Sequence, residues 1–145
     1  MVADGHGLPL GVTLSPGQQH ESTVFEQALG AVRLFRRRRR RRPRRPAKLA
    51  GDKGYSFRRI RRWLQRHRIT AVIPQRSDQE GRPDGCKTFD RKTYRQRNVV
   101  ERCIGWLKEC RRIATRYDKL ALSFKAMLQW AMVRRYLKAV FSDTP

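Results

Sequence analysis

Acidic residues are scarce in this chain: 12 Asp and Glu stand against 35 Lys and Arg in 145 residues, a net charge of +23. So large an excess repels itself unless a polyanion neutralises it, which makes nucleic acid the first partner to consider. Long hydrophobic runs are missing too. No segment is apolar enough to span a bilayer, and the cations are spread over loops and several faces, unlike a single membrane-lying helix, so no membrane partner is expected. Cysteine is sparse. Cys86, Cys103 and Cys110 are odd in number, lack C-x-x-C spacing, and the last two stand seven apart on one expected helix, too far to bridge; reduced thiols follow. His6, His20 and His67 show no metal-ligand spacing. The start, MVADGHGLPLG, has neither the charged opening nor the apolar run of a signal peptide, so the expected location is the cytoplasm.

What is present suits one modest α/β domain, since 39% hydrophobic content allows a small core. Asp4-Gly5-His6-Gly7 reads as a tight turn followed by a strand over Leu8–Ser15, the second arm of a hairpin. Thr23 and Glu26 have capping-box spacing ahead of a helix from about Thr23 to Phe35. Nine arginines follow between Arg36 and Pro46; like charges and prolines forbid packing there, so 36–46 is expected to be a mobile loop, either a solvated linker or a phosphate-tracking arm. Lys48–Gly51 reads as a strand, a helix capped by Ser56 carries Phe57, Ile60 and Leu64 on one face, and Thr70–Ile73 returns as a strand. That is a strand-helix-strand unit of the kind parallel sheets are made from. A polar loop over 75–89, a helix over Arg91–Ile113 and a last helix over Ser123–Val140 complete the chain.

On the Arg91–Ile113 helix, Tyr94, Arg97, Glu101 and Lys108 project within roughly 60° of one another, beside an apolar stripe of Val100, Cys103, Ile104 and Leu107. Asp52 stands at the carboxyl end of its strand, where α/β sheets open their crevices. Two carboxylates brought together by folding could hold Mg²⁺ through oxygen and direct it at a phosphodiester, while Arg97 and Lys108 position the backbone. The plainer alternatives are that Asp52 is a helix-start acid and that Glu101 pairs with Arg97 one turn away.

Tyr94-x2-Arg97-x3-Glu101-x6-Lys108 resembles the Y-R-E-K signature of bacterial insertion-sequence DDE transposases, and Asp52-Lys53-Gly54-Tyr55 resembles the D-x-G-Y element of their second acid. The segments DGHGLPLGVTLSPGQQHEST, KLAGDKGYS, AVIPQRSD and RNVVERCIGWLKECRRIATRYDKLA are similar, in order, to the catalytic domain of the fifth insertion-sequence family. The resemblance implies an RNase H-like (retroviral-integrase-like) fold in which three acids bind two Mg²⁺ ions, with Mn²⁺ as a substitute, to cut and join DNA. It makes Asp52 and Glu101 the second and third acids, catalytic and metal-binding. Tyr94, Arg97 and Lys108 would grip the end DNA, and Arg36, Arg37, Arg38, Arg39 and Arg40 join them through the basic run. Double-stranded DNA of transposon ends and targets is the implied partner, in a bacterial, nucleoid-associated setting, with an upstream transposase segment or a second transposase copy as further partners.

In that family the first acid lies on the first strand, upstream of the D-G-x-G turn where this chain begins, and Asp4, as the turn residue, cannot take its place. The expectation over 1–145 is therefore a truncated RNase H-like domain lacking the first strand and inactive alone. A non-catalytic DNA-binding remnant or regulator of transposition is the alternative. A basic RNA-associated protein would share the charge but has no use for the Y-R-E-K spacing.

Overall fold

The computed structural model describes residues 1–32, 45–79 and 89–141. Arg36–Arg40 and most of the arginine run lie outside these residues, as do 80–88 of the expected polar loop. The chain forms two compact units. The first gathers 1–16, 26–33 and 98–145; the second gathers 17–25 and 34–97.

The first unit opens with the expected hairpin, in which β1 (Val2–Ala3) pairs antiparallel with β2 (Pro9–Gly11). Asp4 is indeed the turn residue: its Oδ1 accepts the amides of His6 and Leu8 at 2.9 and 2.8 Å. Gly7 closes the turn at φ +85°, a left-handed conformation that costs glycine nothing, and a Cβ there would stand 3.3 Å from Val99. The strand after the turn is shorter than Leu8–Ser15, but Val12 and Leu14 still pack against the unit's core of Leu107, Ile113, Leu128 and Ala131. Those four come from α4 (Asn98–Lys108), α5 (Arg111–Ala114) and α6 (Ala121–Phe141). Tyr136 of α6 ties back to the hairpin by donating to Pro9 O at 2.8 Å.

The second unit contains the strand-helix-strand motif. β3 (Lys48–Ala50) pairs in parallel with β4 (Thr70–Val72), and α2 (Arg58–Arg66) connects them. Ile60 and Leu64 on α2 are fully buried together with Val72 and Ile73, so the one-face spacing translates directly into core. Ser56 does not cap α2; Phe57 occupies that position without a side-chain bond. Ser56 is instead buried, exchanging hydrogen bonds with Gln79 at 2.5 and 2.6 Å and accepting from Arg61 at 2.9 Å. At its far end α2 closes in a Schellman arrangement, with Ile69 N bonded to Leu64 O and Arg68 N to Gln65 O. The residue in left-handed conformation is Arg68, φ 56°, where glycine is usual.

Two expected helices differ from the sequence reading. The one placed over Thr23–Phe35 begins as a 3-10 turn, Glu21–Val24, and continues as α1 (Phe25–Gly30). Its cap is His20, whose Nδ1 accepts Ser22 N, while Thr23 Oγ1 donates to His20 O and no capping box forms. The helix placed over Arg91–Ile113 is three helices: α3 (Arg91–Arg95), α4 and α5. At the first break Arg97 N bonds to Tyr94 O, and at the second Glu109 N and Cys110 N bond to Trp106 O and Leu107 O, three residues back instead of four. Different cores claim the pieces. Lys48 grips Asp90, the cap of α3, at 2.6 Å within the second unit, while Val99, Cys103 and Leu107 seat α4 in the first.

Candidate active site

Asp52 stands two residues beyond the end of β3, at the carboxyl end of a parallel strand as expected. Its extended backbone makes it the cap of a 3-10 turn, Lys53–Tyr55, and Oδ1 accepts Lys53 N at 2.7 Å. Asp52 therefore fills the helix-start role, with its side chain exposed at the carboxyl end of the strand. The turn is fastened on both sides. Ser56 holds Gln79 beneath it, and Tyr55 donates its hydroxyl to Glu21 Oε2 at 3.0 Å while its ring lies 6.0 Å from that of Phe25. Burial, the Glu21 hydrogen bond and the negative charges of Glu21 and Asp52 push the Tyr55 phenol up to about 12. Beside the turn is a cleft of about 320 Å³ lined by Gly17, Gln18, Gln19, His20, Glu21 and Gly54.

Glu21 is the residue that the sequence reading missed. It sits in the quoted segment ending HEST, and in a chain with so few acids each one carries information; what the sequence did not show is that it meets Tyr55, 34 residues later. The outer face of α2 was missed as well. Arg58, Arg62 and Arg66 stand four apart and exposed along it. It belongs to the same unit as Asp52.

Tyr94, Arg97, Glu101 and Lys108 do not share one helix face, because the turn at Gln96–Arg97 separates the first two from the others. Tyr94 and Arg97 are brought together: the guanidinium lies over the ring at 5.7 Å, and the Phe89 ring stands 5.1 Å away. Glu101 and Lys108 are seven apart on α4 and share a side, both exposed. The buried stripe is Val99, Cys103 and Leu107, with Ile104 exposed, which rotates α4 from the expected seat on Val100 and Ile104. At about 100° per residue the two charged side chains then point opposite the core instead of flanking it. Glu101 in the first turn and Lys108 in the last also complement the helix dipole. Asp52 belongs to the second unit and Glu101 to the first.

The donor chemistry fits a hard divalent cation, since exposed carboxylate oxygens are the ligands Mg²⁺ takes. Among the described residues no group of three or more His, Cys, Asp or Glu side chains converges to hold a metal. Also among the described residues, no helix is long and apolar enough to cross a membrane.

Comparison with known proteins gives these features a family. The profile of the Transposase DDE domain matches residues 1–135, and the chain belongs to that family. A Burkholderia cepacia protein named "Putative transposase for insertion sequence element IS402" is similar, 29% identical over 142 residues that cover 93% of this chain and 63% of the relative. The chain thus spans less than two thirds of that relative's length. No solved structure matches significantly.

Proposed function

We infer that this chain is the C-terminal part of an insertion-sequence DNA transposase with an RNase H-like catalytic domain of the fifth insertion-sequence family type, acting by metal-assisted phosphoryl transfer. The observation that carries the reading is Asp52, an exposed carboxylate at the carboxyl end of a parallel strand in a chain of the DDE family. Asp52 and Glu101 are the acids that would hold Mg²⁺ or Mn²⁺, and the ion would supply Lewis acidity and an activated water at a DNA phosphodiester. The remaining work falls to cations. Arg97 and Lys108 hold DNA phosphates with Tyr94 alongside, Arg36–Arg40 track the backbone without reading bases, and Arg58, Arg62 and Arg66 add a third phosphate-facing set. Asp52 and Glu101 by themselves hold a metal pair poorly, and a third acid completes the set.

Binding is the first test. Affinity for duplex DNA is expected to fall steeply with salt, as counterion release requires; a salt-independent affinity would give the charge another purpose. Metal binding is the second. Asp52→Asn and Glu101→Gln should each lower Mn²⁺ affinity while sparing fold and DNA binding. Loss of fold with metal affinity unchanged would make both acids structural and leave the non-catalytic, regulatory reading in possession. Joining the chain to an upstream segment that bears an Asp on a first strand should then yield metal-dependent nicking that either substitution abolishes.

A further inference from the structure

Helix α3 holds a place that its own five residues do not secure. None of the five is buried, and a helix this short is not stable by its backbone bonds alone. Yet it carries Tyr94, and the turn after it, closed by Arg97 N on Tyr94 O at 2.9 Å, lays the Arg97 guanidinium over the Tyr94 ring. Its tie to β3 is polar and lies at the start of the helix. Asp90 Oδ1 accepts Thr93 N at 2.9 Å, and Oδ2 accepts both the Thr93 hydroxyl and Lys48 Nζ at 2.6 Å. One carboxylate thus caps α3 and clasps it to a strand residue 42 positions earlier.

The two side chains of the clasp are 51% and 33% exposed, and an ion pair in that setting adds little to stability. Its consequence is geometric. Lys48 begins β3, and Asp52 stands two residues beyond the end of that strand. At about 3.3 Å per residue the two are at most roughly 13 Å apart along one short segment. That segment carries the candidate metal-binding carboxylate past one end and the anchor of Tyr94 and Arg97 at the other, all within the second unit. Lys48 first, then the hydroxyl and amide of Thr93, hold the Asp90 carboxyl well below the usual carboxylate range, so the clasp keeps its charge through the neutral range.

We propose that Lys48 and Asp90 are positioning residues for DNA: their clasp sets where Tyr94 and Arg97 meet a phosphate relative to Asp52. This rests on the reading of Tyr94 and Arg97 as DNA contacts, and neither clasp residue touches DNA itself. The proposal fixes a sign. Removing an acid from a chain of +23 strengthens its attraction for phosphate. Losing the clasp releases the Arg97 contact and weakens binding instead.

The test is fluorescence anisotropy of the full chain with a labelled mixed-sequence duplex across a salt series. Asp90→Asn is the informative change, because asparagine still caps a helix but offers Lys48 no anion. Helical circular dichroism should persist while affinity falls about threefold, on the order of one exposed charge contact. The slope of log affinity against log salt should shrink by about 0.9, the equivalent of one phosphate. Lys48→Met, which leaves the cap of α3 in place, should give the same loss, and the two together no more than either alone. In an Arg97→Ala chain, Asp90→Asn should bring no further loss. Tighter binding or an unchanged slope in Asp90→Asn overturns the proposal. So does additivity of Lys48→Met and Asp90→Asn, which would make Lys48 a phosphate ligand in its own right. If Arg97→Ala itself leaves affinity and slope unchanged, the reading of the pair as DNA contacts fails and takes the proposal with it; a loss at Arg97→Ala without one at Asp90→Asn defeats the clasp alone.

Discussion

Replacing Tyr55 by Phe removes one oxygen from the turn that carries Asp52 and leaves the ring to pack as before. The oxygen donates to Glu21 at 3.0 Å, and its surroundings lift the phenol from 10 to about 12. A two-unit lift corresponds to ~2.7 kcal/mol between protonation states. That is an upper bound, because Glu21 is exposed and water screens it; a net loss of ~1 kcal/mol is expected at pH 7. Urea denaturation should show it as a lower midpoint with unchanged slope. The pH dependence follows from the direction of the lift. Below about 10 the phenol is neutral in folded and unfolded chains, and the bond contributes fully. As pH rises from there the unfolded chain ionises first, so the contribution declines and is lost once pH passes about 12. The gap between wild type and Tyr55→Phe should close over that interval. Glu21→Gln keeps an acceptor without the charge, and should lower the phenol's ionisation while retaining most neutral-pH stability. The reasoning fails if Tyr55→Phe matches wild type within ~0.3 kcal/mol and a tyrosinate absorbance titration loses no late-ionising phenol.

Leu64→Ala, at a fully buried position of α2, should cost ~2–5 kcal/mol, read from the denaturation midpoint; a smaller loss would mean that the second unit collapses around the gap. Arg68→Gly should stabilise the chain by ~1 kcal/mol, since glycine relieves the left-handed residue that closes α2; a lower melting temperature would show that the Arg68 side chain contributes more than its backbone strain costs. Burial pushes the Cys103 thiol up, so it should react with a disulfide reagent more slowly than half-buried Cys110 in the native chain and equally fast in denaturant. Mass spectrometry of the labelled peptides distinguishes the two.

Where the fold was legible, one residue's local chemistry settled it. The Asp4 turn needs only a short carboxylate and a glycine. The Ile60 and Leu64 spacing needs only a helical period, and the β3-α2-β4 order follows from strands that end in Asp and Pro. Where it was not legible, the decision rested on residues distant in sequence. Nothing between Tyr94 and Glu101 marks the turn at Gln96–Arg97. The two sides of that turn are fixed by Lys48 on Asp90 and by the seating of Val99, Cys103 and Leu107. A continuous helix projection therefore seated the helix on Val100 and Ile104, where the structure buries Val99 and leaves Val100 half-buried and Ile104 exposed. His20 as a cap and Arg68 in a glycine's place depart from residue preferences, and preferences cannot announce their own exceptions. For the site, Asp52 was readable from its strand end, whereas Glu21 became visible only through the Tyr55 hydroxyl.

Arg61 alters how the charge of this chain should be counted. Its guanidinium donates to Ser56 Oγ, to Ile73 O at 3.0 Å and to Pro74 O at 3.3 Å, joining the start of α2 to the end of β4. Arg59 does similar work on Ser22 O at 2.7 Å. Both still add to the long-range field that draws a polyanion in, yet their donors face the protein's own carbonyls. The number of ions displaced when DNA binds should thus fall below what the 35 basic residues suggest, and the slope of affinity against salt becomes a census of cations that the fold has left facing outward.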